Sequence, residues 1–157
     1  MTNSRLRHFP EEVGLLFHTM GGQRMLGRVL GWLMVCDPPE QTAAQIGEAL
    51  DISAGSVSTT MRLMIQGGLV EKVGVPGDRS VRYRIRNGMW VDMMRGRMGL
   101  MDLFVDLMDR GLVALEGEPE ERKARLREVR AFYAFLRAEL PALLDTWEAR
   151  RRAGEVT

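Results

Sequence analysis

Five hydroxyl-bearing residues, Ser53, Ser56, Ser58, Thr59 and Thr60, crowd into the first half of the stretch SAGSVSTTMRLMIQGGLV, residues 53–70. Hydroxyls at this density can act as nucleophiles if a base and an orienting acid stand beside them, or as hydrogen-bonding groups toward a partner. The nucleophile reading lacks its parts. The two histidines, His8 and His18, have no partners in sequence, Cys36 is the single cysteine, and neither a phosphate loop nor metal-ligand spacing occurs. No enzyme activity, cofactor or metal is expected, and hydrogen bonding is the chemistry left.

Charge points to the partner. Residues 1–53 carry 4 basic and 6 acidic groups, residues 87–157 carry 12 and 13, and residues 54–86 carry 6 and 2. The basic groups of that middle segment are Arg62, Lys72, Arg79, Arg82, Arg84 and Arg86. One local positive field on a nearly neutral chain suggests a face for a polyanion. A solvated surface without a partner would show the same charge, so the elements that carry these groups must decide.

Those elements are mostly helical. PEEVGLLFHTM places Pro10 at a first-turn position with Glu11 and Glu12 near the positive end of the helix dipole, and Gly21-Gly22 stops it. QRMLGRVLGWLMVC ends at Asp37-Pro38-Pro39; Gly27 and Gly31, one turn apart, predict close approach of another backbone. TAAQIGEAL opens on a capping box, Thr42 with Gln45, and turns Ile46, Ala49 and Leu50 inward. After a short turn, Ser53 caps a helix that runs to Gln66 and ends at Gly67-Gly68. On its wheel Val57, Met61, Met64 and Ile65 form the buried stripe with Ala54 at the edge. Gly55, Ser58, Thr59, Arg62 and Gln66 lie opposite, with Ser56 beside them.

Two helices joined by a tight turn, the second bare and hydroxylated on its outer side, make a helix-turn-helix. Small side chains let a helix backbone approach a groove floor, and hydroxyls bond phosphates or base edges. LVEKVGV and SVRYRIR then read as two strands joined by PGDR, with Pro76-Gly77 at the centre of a type II turn. Val81, Tyr83 and Ile85 alternate with Ser80, Arg82, Arg84 and Arg86, and Arg79 stands at the turn. A helix-turn-helix followed by a basic hairpin is a winged helix, whose arginines suit phosphates and a narrow minor groove.

The runs GQRMLGRVLGWLMVCDPP, TAAQIGEALDISAGSVSTTMRLMIQGGLVEKV and VPGDRSVRY resemble the winged-helix regulators of the multiple-antibiotic-resistance repressor (MarR) type. More narrowly, they resemble the branch related to the glycine-betaine synthesis repressor (GbsR). The resemblance covers residues 10–86 and implies a homodimeric DNA-binding transcriptional regulator, with repression as the expected sign and often with response to a small ligand. It maps the recognition helix onto Ser53 to Gln66 and the wing-tip arginine onto Arg79. Many relatives carry a second arginine after the DR pair, where this chain has Ser80; Arg82 is the nearest substitute.

Residues 88–115 read as a long connecting helix capped by Asn87 and closed near Glu116-Gly117. In the last helix Leu126, Val129, Tyr133, Leu136, Leu140, Leu143 and Trp147 keep an unbroken heptad spacing, which predicts a dimer seam. Phe132, Phe135 and Leu144 broaden it, Pro141 should kink or restart the helix, and the tail EARRRAGEVT should fray. Trp32, Trp90 and Met94 are candidates for a small effector pocket, apolar or cationic in preference, although core packing is the more economical reading of the methionine stripe. Cys36 closes a helix beside Asp37; a helix carboxyl end and a carboxylate both disfavour thiolate, so a buried structural thiol is expected rather than a peroxide sensor.

The expected architecture is mainly α with a small β-wing: a winged helix-turn-helix over 10–86, then a helical linker and dimerisation region over 87–152 with a contribution from 10–36. The expected partners are double-stranded DNA, as a pseudo-palindromic operator, and a second copy of the chain. Thr42, Ser53, Gly55, Ser56, Ser58, Thr59, Arg62, Arg79, Arg82 and Arg84 would meet the DNA. With no membrane-spanning run and no signal-peptide pattern, the cytoplasm is the expected compartment. A winged-helix module that binds protein instead of DNA is the alternative, distinguished by weak salt dependence.

Overall fold

The computed structural model of the chain describes residues 4–74, 76–77 and 80–156. Its elements are α1 (Ser4–Thr19), α2 (Arg24–Val35), β1 (Gln41–Thr42), α3 (Ala43–Leu50), α4 (Ala54–Gln66), β2 (Val70–Val73), β3 (Arg82–Ile85), α5 (Met89–Ala114) and α6 (Glu120–Arg152). They form two compact units, the first ending at Met89 and the second beginning at Trp90.

In the first unit α1 and α2 pack backbone to backbone. A Cβ built on Gly27 would stand 2.7 Å from the Val13 carbonyl oxygen, and one on Gly31 would stand 2.9 Å from Pro10 Cα. The one-turn spacing of these glycines is what allows the contact. Helix α1 begins at Ser4, so Pro10 lies inside it rather than in its first turn. The prolyl nitrogen cannot donate to the preceding turn; burial of Pro10 against Gly31 gives that position its compensating contact. Arg28 fastens the unit further: its Nε donates to Glu11 Oε1 at 2.6 Å and its Nη2 to the Leu50 carbonyl at 2.8 Å, joining α1, α2 and the end of α3.

The core beneath is Val29, Leu30, Ile46, Val57, Met61, Met64, Val70 and Met89, all at most 2 % exposed. Complete burial of such side chains is worth about 1.5–3 kcal/mol each. Thr42 and Gln45 form the expected capping box, and Asp51 ends α3 in the left-handed region at φ 51°. Gly67 caps α4 with an ordinary right-handed φ; the left-handed residue is Gly68, at φ +67°.

The wing contains a strand that the sequence pattern does not announce. Beside the expected pair, β1 adds to β3, giving a three-stranded antiparallel sheet in the order β1-β3-β2. A two-residue strand has no detectable alternation, so only the pairings Gln41↔Tyr83 and Thr42↔Arg82 reveal it. With β2 and β3 and the helix-turn-helix, this is a winged helix, mainly α with a small β-wing.

The second unit is the α5–α6 pair. Phe104 and Tyr133 stack with centroids 4.2 Å apart, Asp102 pairs with Arg137 at 3.3 Å, Asp109 pairs with Arg130, and a Cβ on Gly111 would meet Leu126 at 2.9 Å. These partners descend on one helix as they ascend on the other, so the helices are antiparallel. Three sequence expectations change here. Helix α5 starts at Met89 after Gly88, φ +79°, two residues past Asn87, because the glycine takes the backbone turn that a capping side chain would have marked. Helix α6 continues through Pro141 to Arg152 without a restart, including the first half of the tail expected to fray. Proline removes one donor, and the many remaining bonds of a 33-residue helix sustain it.

No helix among the described residues is long and apolar enough to cross a membrane. None of their His, Cys, Asp and Glu side chains gather in threes as a metal site would require.

Candidate nucleic-acid interface

Helix α4 presents its bare side outward. Gly55, Ser58, Thr59, Arg62 and Gln66 are exposed, Ser56 is half-buried, and Val57, Met61 and Met64 anchor the opposite side. A Cβ on Gly55 would find only Ser53 Oγ, at 3.9 Å, so the glycine leaves open surface rather than accommodating a neighbour. Thr60, 6 % exposed, belongs to the inner side and lies outside the outward set.

The hydroxyls divide by task. Ser53 Oγ accepts from Ser56 N at 3.2 Å and lies 3.0 Å from Ser56 Oγ. Thr42 Oγ1 accepts from Gln45 N at 3.2 Å, while Gln45 Oε1 accepts from Thr42 N at 2.8 Å. Ser53 and Thr42 therefore fix the starts of α4 and α3. Ser58 and Thr59 are the exposed hydroxyls of the helix face itself.

Two clefts flank α4. One, about 290 Å³, lies toward the sheet and is lined by Ser58, Met61, Arg62, Ile65, Gln66, Lys72 and Tyr83. The other, about 400 Å³, lies toward the start of α2 and is lined by Gln23, Met25, Gly55, Ser56, Thr59 and Thr60. The exposed side of α4 is thus flanked by an open cleft on either side.

The wing arginines have unlike surroundings. Arg79 lies outside the described residues. Gly77, at φ +84°, has the conformation a type II turn requires of its third residue. Arg82 is half-exposed and sits across from Val73 and Thr42. Arg84 is held between two acids: its Nε donates to Glu71 Oε1 at 2.7 Å and its Nη1 lies 3.7 Å from Glu40 Oε1. The hydrogen bond and charge of Glu71, with help from Glu40, push its guanidinium pKa further up. Glu71 is its cross-strand neighbour in the β2–β3 register, so strand pairing forms this ion pair and sequence distance hides it. Arg86 bonds the Gly68 carbonyl through Nε at 2.7 Å, closing the sheet onto the end of α4.

Of the other candidates, Trp32 lines a cavity of about 260 Å³ in the first unit with Arg7, Gln41, Gln45, Glu48 and Ala49. Trp90 and Met94 belong to the second unit and are 46 % and 41 % exposed. Cys36 is half-buried rather than buried; desolvation pushes its thiol pKa up, and Asp37 and Glu40 add to the rise against a backbone hydrogen bond that lowers it. Within α6 the seam candidates are unburied: Leu126, Tyr133, Leu136 and Leu140 are half-covered, while Val129, Leu143 and Trp147 are exposed.

Comparison with known proteins agrees with this geometry. A family model described as an MmpR5-like MarR family transcriptional regulator matches residues 88–150, and one described as the MarR family matches residues 25–79. The chain is 37 % identical over 145 residues to the HTH-type transcriptional regulator MmpR5 of Mycobacterium tuberculosis (strain ATCC 25618 / H37Rv), across 92 % of this chain and 88 % of that one. It is also similar to a crystal structure of a transcriptional regulator, at a TM-score of 0.73 and 36 % identity, across 93 % of this chain and 99 % of the other.

Proposed function

This chain belongs to the MarR family of transcriptional regulators, with an MmpR5-like second half, and on that premise we propose that it is a homodimeric repressor acting in the cytoplasm on a pseudo-palindromic operator. The observation that carries the DNA contact is the exposed side of α4, where Gly55, Ser58, Thr59, Arg62 and Gln66 lie between two open clefts. In this reading Gly55, Ser58, Thr59 and Arg62 enter the major groove, where the absence of bulk lets the helix backbone approach the base edges. Ser53, Ser56 and Thr42 hold the helix starts against the phosphate backbone. Arg79 and Arg82 serve the wing, and Arg84 joins them only by exchanging its carboxylates for phosphate.

Two copies supply two half-sites. The apolar residues Phe132, Phe135, Leu143 and Trp147, between 43 % and 63 % exposed, support the pairing surface. The domain reading that follows is a DNA-binding part over 10–86 and a dimerisation part over 87–152, aided by 10–36. Response to a small apolar or cationic effector is a further part of the reading, with Trp32, Trp90 and Met94 as its candidate contacts. A thermal-shift screen of apolar and quaternary-ammonium compounds tests that part, and a flat screen removes it. The narrower kinship with the betaine-synthesis branch rests on the motifs of residues 10–86 alone.

Selection of bound sequences from random duplex DNA, repeated at two salt concentrations, tests the function. Enrichment of a two-fold-related sequence, with affinity falling steeply as salt rises, is the expected result. Binding that ignores salt and enriches nothing would leave the protein-binding alternative.

A further inference from the structure

The two faces of the wing sheet sort their charges differently. In the register, Gln41, Tyr83 and Lys72 form one cross-strand row, from buried Gln41 through half-buried Tyr83 to exposed Lys72 on the edge strand β2. Adjacent residues of a strand face opposite sides, so Glu71 and Arg84 belong to the other face, where Glu71 and Glu40 already balance the guanidinium. Counting charge along the sequence gives Arg84 and Lys72 equal weight. Pairing spends Arg84 and leaves Lys72 without an ion-pair partner among the described residues.

Lys72 stands at the cleft between α4 and the sheet, opposite Arg62, with the polar groups of Ser58, Gln66 and Tyr83 in the same lining. Neither Arg62 nor Lys72 has an ion-pair partner among the described residues. Two uncompensated cations with hydroxyl and amide donors between them match a tetrahedral oxyanion, which offers charge and several acceptor atoms at once. Ser58, Arg62 and Gln66 also belong to the exposed side of α4, so whatever enters the cleft lies alongside that helix.

We propose that this cleft is a phosphate seat, filled by a backbone phosphate of duplex DNA or by a free phosphate group of the same chemistry. The inference rests on the DNA-binding reading above and adds to it Lys72 and Tyr83 as sequence-independent contacts. Their effect is to set the depth and tilt of α4, since a phosphate held between helix and sheet fixes the duplex relative to both. Arg62 and Ser58 then grip backbone from the flank of the helix while Thr59 faces the bases.

The test uses the full chain, a duplex recovered by selection and a scrambled duplex, with affinity measured across a potassium chloride series. Lys72→Gln should weaken both duplexes by the same factor and flatten the slope of log affinity against log salt by about 0.9, the share of one phosphate. Lys72→Arg should restore the wild-type slope; thermal melts establish that each variant is folded. A wild-type slope in Lys72→Gln overturns the seat, as does a slope that Lys72→Arg fails to restore. Competition by sodium phosphate at fixed ionic strength, abolished in Lys72→Gln, identifies a free phosphate as occupant; without competition the occupant is the DNA backbone. A wild-type chain that binds no duplex at low salt overturns the DNA reading and the seat together, whereas steep wild-type binding with an unaltered Lys72→Gln slope overturns the seat alone.

Discussion

Gly27 shows how much a single residue decides in the first unit. Alanine is the better helix former by about 0.8–1.0 kcal/mol, yet its methyl would stand 2.7 Å from the Val13 carbonyl oxygen and 2.8 Å from Phe17 Cβ. Both neighbours are fixed to the backbone of α1 and cannot turn away. Overpacking of this kind costs about 1–3 kcal/mol, so Gly27→Ala should lower the urea midpoint despite the gain in propensity; an unchanged midpoint would mean that α1 and α2 slide apart freely. Cys36 gives a second residue-scale expectation. Desolvation, Asp37 and Glu40 hold its thiol pKa above the ordinary value, so thiolate is scarce at neutral pH. The rate of iodoacetamide alkylation should reach half its alkaline plateau at a higher pH than for a free cysteine peptide.

At the scale of elements, caps and ion pairs fix how helices begin and pair. Thr42→Ala removes the hydroxyl half of the capping box, the acceptor for Gln45 N, while the backbone half remains, and should cost about 1 kcal/mol of stability, read from chemical denaturation. In α4, Thr59 lies on the exposed side; Thr59→Ala should leave the melt unchanged and shift the base preference recovered by selection, whereas Arg79→Ala should weaken all sequences alike. Between α5 and α6 the hydrogen bond from Arg130 holds the Asp109 carboxyl below its usual range. A depressed folded-state pKa stabilises above the unfolded value and loses that contribution as pH falls through the folded one. The hairpin should therefore loosen in acid below about pH 4, the ordinary carboxylate range. Circular-dichroism melts should show less acid sensitivity in Arg130→Gln than in the wild type.

For the molecule as a whole, the question is what covers the apolar residues left open. Leu103, Phe132, Phe135 and Leu143 are between 57 % and 63 % exposed, large apolar side chains on α5 and α6 of the kind that an interaction surface takes out of water. With dimerisation as their proposed cover, the double change Phe135→Glu and Leu143→Glu should sediment as a monomer. Its operator affinity should fall by roughly 10²-fold or more as the second half-site becomes a separate binding event. Sedimentation as a dimer would move the interface elsewhere on the chain.

Patterns of period 3.6 and 2, read along residues 24–86, were enough to place α2, α3, α4 and the two long wing strands, because each depends on neighbours a few positions away. The Thr42 and Ser53 caps, the outward side of α4 and the close approach at Gly27 and Gly31 follow from the same local rules. Interactions between distant residues were decided only in three dimensions. The third strand Gln41–Thr42 exists because β3 pairs with it; Arg84 is spoken for because Glu71 lies 13 positions away yet directly across a ladder; and Lys72 gains its place beside Arg62 because a strand edge meets a helix. Local periodicity fixes which way a side chain faces along its own element, whereas the charge it meets there is set by whichever segment the fold brings opposite.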